Sequence, residues 1–287
     1  MARTDPSRAT KKKRLAEILK AYGRLVVAFS GGVDSTFLLA AAKEALGGRV
    51  TAVTADSPLH SRREIREALA TAKALGVEHI VVPFAELTAP GFAANPPDRC
   101  YTCKQLIFSE INRMAASMGV ERVAHGVNLD DLGDYRPGQK AAEEMGVAAP
   151  LVEAGLNKAD IRALSRRMGL PTWNKPSMAC LASRIPYGRP ITLEALKMVE
   201  AAEEILQGLG FSGCRVRHHG DVARVEMAVR DMNRAVRPGV RSQIVEGLKA
   251  VGFTHVAVDL EGYVPGSLNR ALESTRGAAG SRGRGVQ

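Results

Sequence analysis

Leu25-Val26-Val27-Ala28-Phe29-Ser30-Gly31-Gly32-Val33-Asp34-Ser35-Thr36 is the stretch on which the reading of this chain turns. Five apolar residues, 25–29, run into a Ser-Gly-Gly turn, and an apolar-periodic segment follows from Val33 to Leu46. That pattern predicts a buried strand, a tight turn and a helix. Gly31 and Gly32 let the backbone approach a ligand closely and adopt conformations that a side chain forbids. The turn amides and the first N–H groups of the new helix have no intrahelical partner, so the spot attracts an anion such as phosphate. Ser30, Ser35 and Thr36 add hydroxyl donors. No Gly-Lys-Ser/Thr is present, so the turn lacks the lysine of a Walker phosphate loop.

The pattern repeats outward from this point. Residues 8–22 read as a basic amphipathic helix with Leu15, Ile18 and Leu19 on one side. After helix 35–46 come strand Arg49–Thr54, ending in Ala55-Asp56-Ser57-Pro58, helix 61–75 and strand Glu78–Pro83. Wholly apolar strands alternating with helices predict an α/β fold, a doubly wound parallel sheet with helices on both faces. Its ligand belongs at the carboxyl ends of the strands, where Ser30 and Asp56 fall. A Pro/Gly/Asn-rich loop over 88–99 leads into Arg99-Cys100-Tyr101-Thr102-Cys103-Lys104 and a helix over 105–118. Strand Arg122–Gly126 opens into a polar loop, 126–138. Helix 139–145, a short strand near Ala148–Leu151 and helix 158–168 follow. Four prolines between 171 and 190 exclude regular structure there, and the apolar content implies an ordered, functional loop.

From Thr192 the character changes. Helix 192–208, a hairpin over Arg215–Met227 turning at Gly220-Asp221, helix 239–251 and strand 254–260 predict a smaller α+β unit. The expected division is a basic N-terminal helix or arm (1–24), an α/β domain (25–190), a C-terminal α+β domain (191–264) and a basic tail (265–287). The Gly/Arg/Ser-rich end of that tail is expected to be disordered.

Composition narrows the class. The chain has 287 residues, 45% of them apolar, with a mean hydropathy of -0.09, which describes a globular protein with a sizeable core. No apolar run approaches the ~18 residues a membrane span needs. The basic N-terminus lacks the apolar centre of a signal peptide, so a cytoplasmic, membrane-free location is expected. Four cysteines then argue for metal, cluster or catalytic use rather than disulfides. The net charge of +10 sits at the ends. Residues 1–24 hold eight basic and two acidic side chains, and residues 265–287 hold four arginines and one glutamate, which leaves +1 for 25–264. A nearly neutral body argues against a nucleic-acid partner.

Several constellations carry chemistry. Asp130, Asp131 and Asp134, with Arg136 close by, lie in the 126–138 loop at a strand's carboxyl end. Beside a phosphate turn such carboxylates can hold Mg²⁺ and the arginine can grip an anion, whereas alone they make a solvated surface. Cys100 and Cys103 are half a zinc site, a redox pair or part of an Fe–S cluster. Zinc needs two further ligands, and no second Cys-x-x-Cys is visible; Cys180 lies in the ordered loop, and Cys214 reads as structural. His218 and His219 face opposite ways on a strand, so at most one joins any site. Arg215 and Arg217, two apart, share a face and make a paired anion clamp.

Ser-Gly-Gly-Val-Asp-Ser resembles the pyrophosphate loop of the ATP pyrophosphatases, which adenylate their substrates and release pyrophosphate. With it, Gly126–Gly138, Ala179–Gly188 and Arg215–Glu226 together resemble the ATP-dependent sacrificial sulfur transferases of the LarE type, from about Leu15 to Leu260. The resemblance implies adenylation of a carboxylate of pyridinium-3,5-biscarboxylic acid mononucleotide and its conversion to a thiocarboxylate, for the nickel-pincer nucleotide of lactate racemase. It implies an ATP site of Ala28, Ser30, Gly31, Gly32, Val33, Asp34, Ser35, Asp56, Gly126, Asn128, Asp131 and Arg136, with Mg²⁺ on Asp131. Catalytic roles fall to Cys180, Asp34 and Arg184, and substrate contacts to Arg215, Arg217 and Tyr101. In single-cysteine members the cysteine at the position of Cys180 gives up its own sulfur. The presence of Cys100 and Cys103 resembles the three-cysteine members, in which a 4Fe–4S cluster carries the sulfide. Glu203 and Glu226 are implied metal ligands, and a trimer or hexamer is implied. The main alternative on the same loop is a tRNA thiolase.

Overall fold

The computed structural model describes residues 7–133, 137–177, 179–264 and 266–270. The chain divides into two compact units, residues 1–86 with 98–178, and residues 87–97 with 179–287.

In the first unit the elements run α1 (Arg8–Tyr22), β1 (Leu25–Ala28), α2 (Val33–Leu46), β2 (Val50–Asp56), α3 (Arg62–Ala74), β3 (Glu78–Pro83), α4 (Arg99–Ser117), β4 (Val123–His125), α5 (Pro137–Glu144), α6 (Pro150–Glu153) and α7 (Lys158–Arg167). The four strands form an all-parallel sheet in the order β3-β2-β1-β4, with Leu25 opposite Val50 and Val26 opposite Val123. Alternation along β1 sends its side chains to two cores. Leu25 and Val27 pack with Leu15 and Leu19 of α1, Phe37 and Leu38 of α2, Ala68 of α3 and Ile161 of α7. Val26 packs with Ile107, Phe108 and Ile111 of α4 and Ala142 of α5. Helices therefore cover both faces, as the β-α alternation predicts.

Local chemistry sets the helix starts. Ser61 and Glu64 close a capping box on α3, and Asn157 caps α7 by accepting from Asp160 N. α2 differs, because its N-cap is Gly32 and no side chain caps it.

Four expectations change. α4 begins at Arg99, so Cys100 and Cys103 lie inside its first turns rather than ahead of the helix. The segment expected as a strand near Ala148–Leu151 is a single parallel bridge, Ala124 to Ala148, followed by α6. α1 is no separate arm: buried Lys11 pairs with Asp160 of α7 at 2.8 Å. The compact units part between 178 and 179 rather than at 190, and the second takes up 87–97. The reason is a backbone stitch: Gly188 N donates to Asn95 O, Ile191 N to Ala93 O, and Asn95 Nδ2 to Pro186 O. Asn95 is fully buried with φ +60°, a left-handed conformation that asparagine tolerates.

The second unit holds α8 (Leu193–Gly208), β5 (Arg215–His219), β6 (Val222–Glu226), α9 (Val229–Ala235), α10 (Pro238–Val251) and β7 (His255–Val258). The hairpin turns at Gly220-Asp221 as predicted, and β7 joins β6 in parallel, giving a mixed sheet β5-β6-β7. Its core gathers Leu206, Phe211, Val216, Val225, Leu248 and Phe253. The sequence reading left α9 unassigned.

Candidate active site

In the first unit, β1 delivers the chain to Phe29-Ser30-Gly31-Gly32, and α2 starts at once. Gly31 has φ +65°, and a Cβ there would lie 3.1 Å from Ala68 of α3. Two independent constraints therefore call for glycine. The Ser30 and Ser35 hydroxyls are 3.1 Å apart, and Thr36 N closes onto Gly32 O at 3.0 Å. With no side chain on the N-cap, the first amides of α2 remain available to an anion.

Gly126, just past β4, explains how closely the loops approach. A Cβ on it would stand 2.7 Å from Ser35 N and 2.9 Å from Ser35 Cα. Asn128 is buried and organises the turn beyond. Its Oδ1 accepts from Asp130 N, while Asp131 Oδ2 accepts from Asn128 N and Nδ2. Asp130 Oδ2 in turn accepts from Lys158 N.

Asp34 is the half-buried carboxylate of the phosphate turn. Burial raises its pKa, the Lys158 ammonium opposes that shift, and Asp131 adds to it. Its Oδ2 pairs with Lys158 Nζ, whereas Oδ1 is buried with no partner among the described residues. Lys175, from the proline-rich loop, donates to Gly31 O at 3.0 Å and pairs with Glu67 at 2.9 Å. Lys158 and Lys175 are the cations the sequence reading missed. Lys158 had one signal, a lysine in the first turn of α7, where the helix dipole disfavours positive charge. Asp56 is half-buried and pairs with Arg62 at 2.6 Å. Arg136, with Asp134, lies outside the described residues.

Next to this, α4 presents Cys100 exposed and Cys103 half-buried one turn on. Cys103 Sγ lies 4.0 Å from Glu86 Oε1. Glu86 is 1% exposed, accepts from Ser57 Oγ at 2.7 Å, and has its pKa raised by burial. Tyr101 donates to Glu144 on α5. His125, at the end of β4, is pushed down to about 3 by burial and by Lys104, so it is neutral.

In the second unit Cys180 is half-buried and opens a 3-10 turn, Leu181–Arg184. Arg184, 2% exposed, is held by Glu203 through two bonds of 2.8 and 3.0 Å. Arg217 donates to Ser183 O at 2.8 Å and pairs with Glu226 at 2.6 Å; Arg224 takes the other oxygen of Glu226. Arg215 donates to Cys214 O and stacks over Tyr263. Glu203 and Glu226, the implied metal ligands, each pair with a buried arginine, whose positive charge disfavours a cation beside them. Arg184, expected as a catalytic group, spends its donors on Glu203 and on the backbone of its own turn. Cys214 is fully buried, and its thiol is pushed up to about 11 by burial and by Glu203. Among the described residues no three His, Cys, Asp or Glu side chains gather as a metal-holding group.

Comparison with known proteins agrees with this loop chemistry. Residues 13–120 match the asparagine synthase family. The chain is 40% identical over 263 residues to the protein slr1717 of Synechocystis sp. (strain PCC 6803), covering 92% of this chain and 98% of that one. It is 38% identical over 265 residues to pyridinium-3,5-bisthiocarboxylic acid mononucleotide synthase of Lactiplantibacillus plantarum, covering 92% and 95%. A shorter likeness, 30% over 200 residues, reaches GMP synthase of Aeropyrum pernix, over 63% of this chain and 39% of that one. The chain is thus an ATP-dependent sulfurtransferase, a member of the LarE-type family within the ATP pyrophosphatases.

Proposed function

We propose that the chain adenylates a carboxylate of pyridinium-3,5-biscarboxylic acid mononucleotide and converts it to the thiocarboxylate, a step towards a nickel-pincer nucleotide. The observation that carries this reading is the end-to-end likeness to the Lactiplantibacillus plantarum synthase. The chemistry follows in two displacements. The substrate carboxylate oxygen attacks the α-phosphorus of ATP, the bond to the bridging oxygen breaks, and pyrophosphate leaves. A sulfur nucleophile then adds to the acyl carbon and AMP leaves.

The amides of Gly31, Gly32, Val33 and Ser35, the hydroxyls of Ser30 and Ser35, and the ammonium groups of Lys158 and Lys175 hold the departing pyrophosphate. The buried, unpartnered oxygen of Asp34 fits Mg²⁺, with Asp131 as the second carboxylate. Ala28, Asp56, Gly126, Asn128 and Arg136 complete the ATP site. Arg215 and Arg217 bind the substrate phosphate, with the buried Arg217 Nε as a donor that has no partner among the described residues. Tyr101 contributes a further substrate contact.

Cys180 is the sulfur-bearing residue. None of the four cysteines is in a disulfide, and Cys214 is sealed in a core, so by the resemblance to the three-cysteine members Cys100, Cys103 and Cys180 are the thiols that would hold a 4Fe–4S cluster. When bound, such a cluster would supply a replaceable sulfide. The enzyme works as a homo-oligomer in the cytoplasm, a reading that rests on the resemblance. Iron and acid-labile sulfide, assayed after anaerobic purification, test the cluster: about four of each per chain is expected, with loss in Cys100→Ala. Iron-free wild type that makes thiocarboxylate at the same rate as Cys100→Ala would refute it, and loss of H₂S from Cys180 after one turnover would establish the sacrificial route.

A further inference from the structure

The backbone around Cys180 is fixed by a buried arginine. Arg184 Nη1 donates to Ala179 O at 2.6 Å, to Cys180 O at 3.0 Å and to Ser183 Oγ at 2.8 Å. Its other edge lies against Glu203, with Nε on Oε1 and Nη2 on Oε2. Glu203, 6% exposed on α8, also accepts from Val216 N of β5 at 3.1 Å. From the opposite strand position Arg217 holds Ser183 O. The turn is thereby anchored to α8 and β5 through carbonyls on both sides of the thiol.

A buried ion pair of this kind adds little net stability, because desolvating two charges offsets their attraction. What it does supply is geometry, since the planar guanidinium fixes several acceptors at once. We propose that Glu203 is a positioning residue for sulfur transfer: by orienting Arg184 it fixes the backbone of the Cys180 turn and with it the direction in which the Cys180 sulfur is presented. The inference rests on Cys180 being the sulfur-bearing residue.

Glu203→Gln in the full-length chain tests it, because one carboxylate oxygen becomes an amide N–H₂ facing the Arg184 Nη2 donor. Three quantities are read: pyrophosphate released, thiocarboxylate formed per pyrophosphate, and, in the folded chain freed of iron, the alkylation rate of Cys180 by iodoacetamide, followed by peptide mass spectrometry. The yield of thiocarboxylate per pyrophosphate is expected to fall about 100-fold, the effect of misplacing a reacting group by about 1 Å. Cys180 alkylation is expected to rise about tenfold as one charge-assisted hydrogen bond is lost. Ser183→Ala removes a single acceptor, is expected to move both readouts the same way by a smaller factor, and serves if Glu203→Gln does not fold. A wild-type yield and alkylation rate in both variants overturns the proposal, as does an equal fall in pyrophosphate and thiocarboxylate at constant yield, which marks a purely structural role. Thiocarboxylate made by Cys180→Ala overturns the reading beneath the proposal instead.

Discussion

Gly126→Ala isolates the steric fit on which the phosphate turn depends. Gly126 does not lie at positive φ, so alanine brings no backbone strain there and acts through its methyl group alone. That methyl would meet Ser35 N at 2.7 Å, Ser35 Cα at 2.9 Å and Asp34 C at 3.0 Å, all backbone atoms of the first turn of α2. None of them is the end of a flexible side chain, so α2 or the β4 loop must move. Overpacking of this size costs about 1–3 kcal/mol, which lowers Tm by about 5 °C for a unit of this length. The catalytic loss is larger, because the displaced atoms carry the amides that face pyrophosphate; a shift of about 1 Å costs about 100-fold. Pyrophosphate release with ATP and substrate is the assay, beside a thermal melt. Gly48→Ala is the control, since a Cβ there meets nothing within 4 Å. If Gly126→Ala releases pyrophosphate within about twofold of wild type at unchanged Tm, the close approach of β4 and α2 is not what shapes the site.

Lys175→Ala is expected to raise the KM for ATP by about 10- to 100-fold, the loss of a charge-assisted contact; an unchanged KM would show that Lys175 serves only Gly31 O and Glu67. In folded, iron-free protein at pH 8, iodoacetamide should modify exposed Cys100 and spare Cys214, whose thiol is buried and pushed up to about 11. Comparable labelling of Cys214 would contradict its place in the core. Stability should fall between about pH 6.5 and pH 4. His60 and His125 are held down to about 4 and about 3, chiefly by burial. The folded chain therefore binds fewer protons than the unfolded chain once pH drops below the ordinary histidine value, and each histidine costs at most about 1.4 kcal/mol per pH unit. Urea unfolding of wild type and His125→Gln at pH 7.5 and pH 5 measures this. An unaltered pH slope in the variant would remove His125 from the account.

What was legible in the sequence divides along physical lines. The parallel sheet was legible because β1 reads as an unbroken apolar run and β2 as a Val/Ala/Thr run, both largely buried, and the hairpin because Gly220-Asp221 is a turn signal between alternating strands. The start of α4 was not. Its N-cap Asp98 makes no capping bond, and Cys-x-x-Cys favours no helix, so neighbours decide: Gly138 of α5 lies against the Cys100 carbonyl, where a Cβ would stand 3.2 Å from the oxygen. The phosphate turn was legible down to its glycines, but its cations were not. Lys158 and Lys175 reach Asp34 and Gly31 across more than a hundred residues, and no local spacing announces such a contact. Likewise alternation places the arginines of the hairpin on one face but is silent about Glu226 and Ser183, which hold Arg217 there.

The central claim is that ATP is spent to activate a carboxylate and that the Cys180 site then replaces its oxygen with sulfur. Anaerobic turnover with ATP and pyridinium-3,5-biscarboxylic acid mononucleotide, counting pyrophosphate and thiocarboxylate in the same samples, measures it most directly. The account predicts equal amounts of the two products in wild type, and pyrophosphate without thiocarboxylate in Cys180→Ala. Thiocarboxylate formed without pyrophosphate, or formed by Cys180→Ala at the wild-type rate, would contradict it.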